Sequence, residues 1–347
     1  METILLLAHA EADGSLAKPA LEALTAAKSV QASLTGSALV VGLAGADVSP
    51  AVRQIGSSGA VRILGVSGPD FSEARYASDA AAAEALARAA GATLVIAPAT
   101  SRWSRCLAGV TQRLNGRVDA HITGMSADGA KLTLARWYYR QRMEALLERA
   151  SRPWFVLIDP GCYDPWTGEA AAANLEPIAV ALDPAAKRTS FLETRSPLAG
   201  EQTIRPDAEL LFVAGAGWTK KQPDGRIRIE EAAGLIIDFV RRTQSSLGSS
   251  KSLVDLSAEG QAVLPFLSHL NQVGQTGATP RHPKGLATCC HGEEPHVVGW
   301  RFINERRAVN LDPNCGWAHG KADVLYVADA FEVMARVNAL LAAKSGK

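Results

Sequence analysis

The sequence predicts an α/β protein of two domains, each a mainly parallel sheet flanked by helices. Three observations carry this. Short, continuous apolar runs alternate with helical patterns, which is how strands buried on both faces read beside the helices that cover them. A chain of 347 residues is long for one core. The alternation also stops over residues 164 to about 205 and then resumes. That break is punctuated by Pro165, Gly168, Pro177, Pro184, Pro197 and Gly200. Boundaries of 1–195 and 196–347 follow.

In the first domain, strands are expected at Ile4–Ala8, Ala38–Leu43, Val61–Val66, Leu94–Ala97, Val118–Met125, Lys131–Arg136 and Trp154–Leu157. Helices fall between them at Pro19–Ser33, Ala51–Ser57, Asp79–Ala90 and Arg102–Leu114, with Thr100-Ser101 as the N-cap signal of the last. One strand is expected in the connection, near Arg188–Thr194. The second series starts with strand Glu209–Ala214 and helix Glu230–Thr243. It continues through a Ser/Gly-rich stretch (Ser245 to Ser252) and a helix or loop near Ala258–Leu270. Strands near Leu286–Cys290, Ala308–Leu311 and Val324–Ala328 come next, then helix Phe331–Ala343.

Composition narrows the function. Lys and Arg number 36 against 35 Asp and Glu, a net charge of +1, so no basic surplus points to nucleic acid or an anionic membrane. Ile4–Ala8 is too short to span a bilayer, and Glu2 argues against a signal peptide. Five cysteines (Cys106, Cys162, Cys289, Cys290, Cys315) form no disulfide framework, which favours a reducing compartment, the cytoplasm. No nucleophile elbow, Walker loop or HExxH motif suggests hydrolysis or phosphoryl transfer.

The most informative segment is Val273-Gly274-Gln275-Thr276-Gly277. Its glycines permit close ligand approach to the backbone, and Gln275 and Thr276 add hydrogen-bonding groups. Such a loop suits a ring edge or a phosphate. Its neighbours make it specific. Gly248 to Asp255, Ala308 to Pro313 and Ala322 to Glu332 match, in order, segments of the electron-transfer flavoprotein alpha subunit family. Val95 to Ser101 and Pro153 to Gly161 do so in the first half. The sequence therefore resembles that family over nearly its whole length, as a divergent branch.

The resemblance implies an electron carrier rather than an enzyme in its own right. It would hold FAD in a Rossmann-like second domain and pack its first domain on a beta subunit. It would accept electrons from a donor dehydrogenase and pass them to a quinone oxidoreductase. The implied FAD contacts are Ser250, Lys251, Val273, Gly274, Gln275, Thr276, His291, Gly292, His296, Asn310 and Asp323. Thr276 would lie near flavin N5, His296 would stabilise the reduced ring, and Asp323 would lie on the adenosine side.

Three departures stand out. Gly215-Ala216-Gly217-Trp218 replaces a Gly-Gly-Arg-Gly motif, Lys251 replaces an arginine, and Glu293-Glu294 enter beside Gly292. Lys220, Lys221 or Arg226, around an Asp224-Gly225 turn, could restore the missing charge or form a solvated hairpin.

Two other readings rest on the same residues. A family member without flavin would act as a structural or regulatory partner. Alternatively, Cys289, Cys290, His291, His296, Cys315 and His319 could bind a metal, although they lack a CxxC pair. Trp137-Tyr138-Tyr139 with Arg140 reads as a structural or interface cluster. Arg102, Arg105, Arg113 and Arg117 read as a solvated helix face or an interface rim.

Overall fold

A computed structural model describes residues 2–138, 143–193, 204–205, 208–255, 263–273, 282–288, 303–314 and 322–345. The chain divides into two compact units, Met1–Thr194 and Arg195–Lys347. Each is built on its own mainly parallel sheet, as the apolar runs predict.

The first unit opens with β1 (Thr3–His9), α1 (Lys18–Ser33), β2 (Ala38–Gly45), α2 (Ser49–Gln54) and β3 (Arg62–Ser67). α3 (Tyr76–Ala90), β4 (Leu94–Pro98) and α4 (Ser101–Arg113) come next. Then come β5 (Arg117–Asp128), β6 (Lys131–Tyr138), β7 (Met143–Leu147), β8 (Trp154–Ile158) and β9 (Leu175–Pro177). The nine strands lie in the order β7-β6-β5-β8-β4-β1-β2-β3-β9, and only the β5-β6-β7 meander is antiparallel.

Alternation explains why β1 is apolar throughout. Ile4 and Leu6 join one core with Leu24 and Val30 of α1, whereas Leu5 and Leu7 join the other with Leu86 of α3 and Leu107 of α4. Thr100 accepts the Trp103 amide at 3.4 Å and so starts α4. Gly91, at φ +60°, ends α3 in the left-handed conformation that glycine adopts without steric cost.

The second unit contains β10 (Leu210–Ala214), α5 (Ile229–Thr243), β11 (Ser246–Ser249) and α6 (Lys251–Asp255). Among the described residues, β12 (Lys284–Thr288), β13 (Glu305–Asn310), β14 (Val324–Val327) and α7 (Ala330–Ser345) follow. Its five strands are all parallel, in the order β11-β10-β12-β13-β14. α5 and α7 pack together on one face, where the Asn338 amide donates to the Leu235 carbonyl at 2.9 Å.

Several elements depart from the sequence reading. Residues 188–193 form no strand; the chain makes a short 3-10 turn at Pro184–Lys187 and then runs irregularly. Leu192 is exposed there, so no core rewards extension. β7, β9 and β11 are strands that the apolar pattern does not predict. The Asp224-Gly225 turn closes on itself through Gln222 and Arg226 without flanking strands. Only part of the Ala258–Leu270 segment is described; over residues 263–270 it is a loop leading into a 3-10 turn at His269–Asn271.

Arg102 is the clearest electrostatic correction. It is buried rather than solvated, donating to Asp79 at 2.8 Å and to the carbonyl of Phe71 at 2.6 Å. Arg105 reaches the same carboxylate at 3.1 Å. A buried guanidinium needs such partners, and helical periodicity alone cannot reveal them. Trp137 and Tyr138 also find local partners: the Trp137 indole donates to Glu144, and Arg136 lies over the Tyr138 ring at 4.5 Å. Tyr139 and Arg140 lie outside the described residues.

The meander is anchored by one carboxylate. Asp119 on β5 is 1 % exposed and accepts from Arg149 at 2.9 Å, Arg136 at 3.2 Å and the Trp154 indole at 2.8 Å. Burial pushes its carboxyl up, but the Arg149 and Trp154 bonds outweigh this and hold it below the usual carboxylate range. Asp119→Ala should destabilise the first unit by about 3 kcal/mol in denaturant unfolding, because two guanidinium groups lose their counter-ion. A folded carboxyl held low contributes stability that is present above its unfolded pKa of about 4 and is lost as pH falls through the folded value. In wild type the stability supplied by this carboxylate should therefore decline below about pH 4. In Asp119→Asn that part of the acid dependence should be absent.

Candidate functional site

The strand order of the second sheet reverses at β10. β11 lies on one side of it and β12 on the other, so the two connections leave in opposite directions. In open parallel sheets the crevice outside the carboxyl ends at such a reversal is where ligands bind. Here that edge is made by Ala214 ending β10 and Gly215 after it, Ser249 ending β11 and Ser250 after it, Thr288 ending β12, Asn310 ending β13 and Asp329 after β14.

Backbone bonds draw these ends together. The Gly215 amide donates to the Thr288 carbonyl at 2.8 Å, and the Ser250 amide to the Ala214 carbonyl at 2.9 Å. The Val273 amide donates to the Ser249 carbonyl at 3.0 Å, so Val273 lies beside the end of β11. Asn271 fixes the approach, its amide donating to the Leu247 carbonyl at 3.1 Å from a buried position. Gly248 explains how the two segments come so close. A Cβ there would stand 2.4 Å from Cγ2 of Val273, inside any tolerable contact.

The residues expected at the site divide into three groups. Ser250, Lys251, Val273 and Asn310 lie at the carboxyl edge. Ser250 caps α6 by accepting the Leu253 amide at 3.3 Å, and Lys251 pairs with Asp255 at 3.5 Å. Asn310 is buried and donates to the Asp312 carbonyl at 3.0 Å. Gly274, Gln275, Thr276, His291, Gly292 and His296 lie outside the described residues. So do Cys289, Cys290, Cys315 and His319 of the metal reading; among the described residues no cluster of three metal-ligating side chains occurs.

Asp323 lies elsewhere. It precedes β14, at the amino end of the sheet, where its carboxylate takes the Arg306 amide at 2.7 Å and the Arg306 guanidinium at 2.8 Å. That pairing holds its carboxyl below the usual range. The acid that follows β14, on the carboxyl side, is Asp329, which accepts the Phe331 amide at 2.8 Å at the start of α7. An acid between an apolar strand and a helical run is the N-cap signature, and it is present in the sequence.

Sequence reasoning marks Trp218 only as part of a lost motif. It is fully buried in the 3-10 turn Ala216–Thr219, packed on Phe331 with ring centroids 4.6 Å apart. Arg228 is the cation that lies over this packing, 5.7 Å from the Phe331 ring. It is held by Asp224 at 2.6 Å and Glu231 at 3.7 Å.

The edge thus offers hydroxyl, amide, ammonium and carboxylate groups around the strand ends. Ser249 Oγ is buried there without a hydrogen-bond partner among the described residues. This donor set fits a dinucleotide, which presents phosphates, hydroxyls and ring edges.

The corresponding edge of the first sheet, between β1 and β4, is occupied by protein. His9 packs on Trp103 with ring centroids 5.9 Å apart, and burial together with the nearby Arg102 lowers its pKa to about 4. His9 is therefore neutral near pH 7.

A sequence model described as the electron transfer flavoprotein domain matches residues 4–185, more than half of the chain. The chain belongs to the electron transfer flavoprotein family. A search of curated proteins finds no match. The matched span begins in β1 and ends in the 3-10 turn after β9, so it covers the first unit. The carboxyl edge of the second sheet lies beyond it. Among the described residues no helix is long and apolar enough to cross a membrane.

The Gly248–Val273 contact gives a direct test of this geometry. Gly248→Ala should cost the second unit about 1–3 kcal/mol in denaturant unfolding, the range for forcing extra atoms into a packed interior. Gly248→Val should cost more. Equal stability of all three proteins would mean that Val273 does not lie against β11.

Proposed function

We propose that this chain is the alpha subunit of an electron transfer flavoprotein, a cytoplasmic carrier that holds one FAD at the carboxyl edge of its second sheet. It would work as a heterodimer with a beta subunit, between a donor dehydrogenase and a quinone oxidoreductase. One observation carries the reading. β11 and Val273, which belong to the two segments whose resemblance to the family is most specific, lie side by side at the carboxyl edge of the second sheet. Membership of the family supports it independently.

In this reading the chain's own residues bind, orient and tune. Ser250 and the backbone amides near it would hold phosphate oxygens. Asn310 and Asp329 would serve polar groups of the nucleotide. Lys251 would supply positive charge toward the ring, as a hydrated point charge rather than a planar fork. FAD, when bound, supplies the electron-accepting ring, and the surrounding charge sets its potential.

A second reading, a flavin-free member serving as a structural partner, draws on one observation. The turn where the family carries an arginine is closed here by the buried indole of Trp218. Coexpression with the beta subunit separates the two. The carrier reading expects a yellow heterodimer that releases FAD on denaturation; a colourless, folded heterodimer that takes up no added FAD would falsify it.

Lys251 tests the charge argument. Lys251→Met should lower both FAD affinity and flavin potential, because no ammonium then offsets the charge gained on reduction. Lys251→Arg should keep FAD bound with a shifted potential. Dye-coupled titration of the three proteins reads both quantities. One shared potential and affinity would make Lys251 a surface lysine.

A further inference from the structure

α6 carries its two charges in the order that a helix does not favour. Lys251 is its first residue and Asp255 its last. An acid in the first turn and a base in the last would suit the helix dipole, and an acid placed before the base makes the better pair at this spacing. Both preferences are reversed here, yet the Lys251 ammonium stands 3.5 Å from one carboxylate oxygen of Asp255. The lysine side chain is 45 % exposed and the aspartate 35 %. Ion pairs so open to water contribute little to stability. The stability of the helix therefore does not account for the arrangement.

Asp255 also faces a second element. Its other oxygen lies 3.8 Å from Nδ1 of His269, in the 3-10 turn that leads to Val273. The same nitrogen is 3.4 Å from the Gln272 amide oxygen. The carboxylate thus stands between the two segments that meet at the end of β11, α6 and the approach to Val273. Among the described residues, Lys251 and His269 are the titratable side chains within ion-pair distance of it.

An ammonium beside a carboxylate acts on a third charge as a dipole rather than as a full cation. The partner's repulsion offsets its attraction for an anion. In the carrier reading Lys251 is the cation directed at the flavin, so its partner decides how much of that charge the flavin meets.

We propose that Asp255 is a positioning residue of the flavin site: it holds the Lys251 ammonium along α6, offsets its charge, and so keeps the flavin potential below the value that an unpaired lysine would give. The proposal rests on the carrier reading above and deepens it. Reduction adds negative charge to the ring, so a weaker positive field favours reduction less.

Variants of the full-length chain in the heterodimer test it. Asp255→Asn keeps the size of the side chain and removes its charge. FAD affinity should rise about two- to fivefold, the gain expected from undoing an exposed pair, and the flavin potential should rise with it. Both gains should shrink as salt is raised. Asp255→Glu keeps the charge and should stay near wild type. In a Lys251→Met background, Asp255→Asn should give a smaller gain, because no ammonium is there to release.

A loss of affinity in Asp255→Asn, as an aspartate needed only for folding would give, overturns the proposal. So does an affinity and potential equal to wild type, or a gain of the same size with and without Lys251. A wild-type heterodimer that binds no FAD defeats the carrier reading itself. The other outcomes are read with wild type loaded, and they count against Asp255 alone.

Discussion

The arrangement of the second unit depends on β10 having a parallel neighbour on each side, reached in opposite directions. A parallel pair cannot be joined by a tight hairpin, so each connection must climb over a face of the sheet. When successive connections diverge, the carboxyl ends between them are where open parallel sheets place their ligand crevices. Ser250, Thr288, Asn310 and Asp329 come from separate parts of the sequence, yet they meet along this edge because strand pairing puts them there. No local preference of those residues would have gathered them.

The sequence made some of this legible and hid the rest for identifiable reasons. β1, β2, β4 and β8 announce themselves because both faces are buried, which leaves an unbroken apolar run. β11 is as deeply buried as any of them, yet it reads Ser-Leu-Gly-Ser. Its first serine is satisfied internally: Ser246 Oγ bonds to the Arg205 backbone and lies 2.8 Å from His282 Nε2, and Gly248 makes room for Val273. A strand whose side chains serve other segments carries no hydrophobic signature. β7, Met-Glu-Ala-Leu-Leu, has the composition of a helix, and only its pairing with β6 makes it extended.

At the site, the Ser250–Lys251 and Val273 segments were legible because motif order survives divergence. Their adjacency was not, since it depends on a missing Cβ. Asp323 and Asp329 show the limit from the other direction. Both are acids flanking the same short strand, and motif resemblance cannot say which end of a parallel sheet each one occupies. The direction of β14 decides it, and Arg306 claims Asp323 at the amino end. Arg102 of α4 escapes the sequence reading in the same way, because its partner sits on another helix.

The fit between positions 248 and 273 has an evolutionary corollary. Contact at 2.4 Å to a hypothetical Cβ means that volume can be added at one position only if it is removed at the other. A methyl group gained at 248 becomes tolerable when Val273 shrinks to alanine, and a residue bulkier than valine at 273 requires glycine at 248. Related chains should therefore change these two positions together. The first residue of the Val273–Gly277 loop then belongs to the packing of β11 as much as to the loop it opens, and its identity is inherited with its partner rather than chosen by the ligand alone.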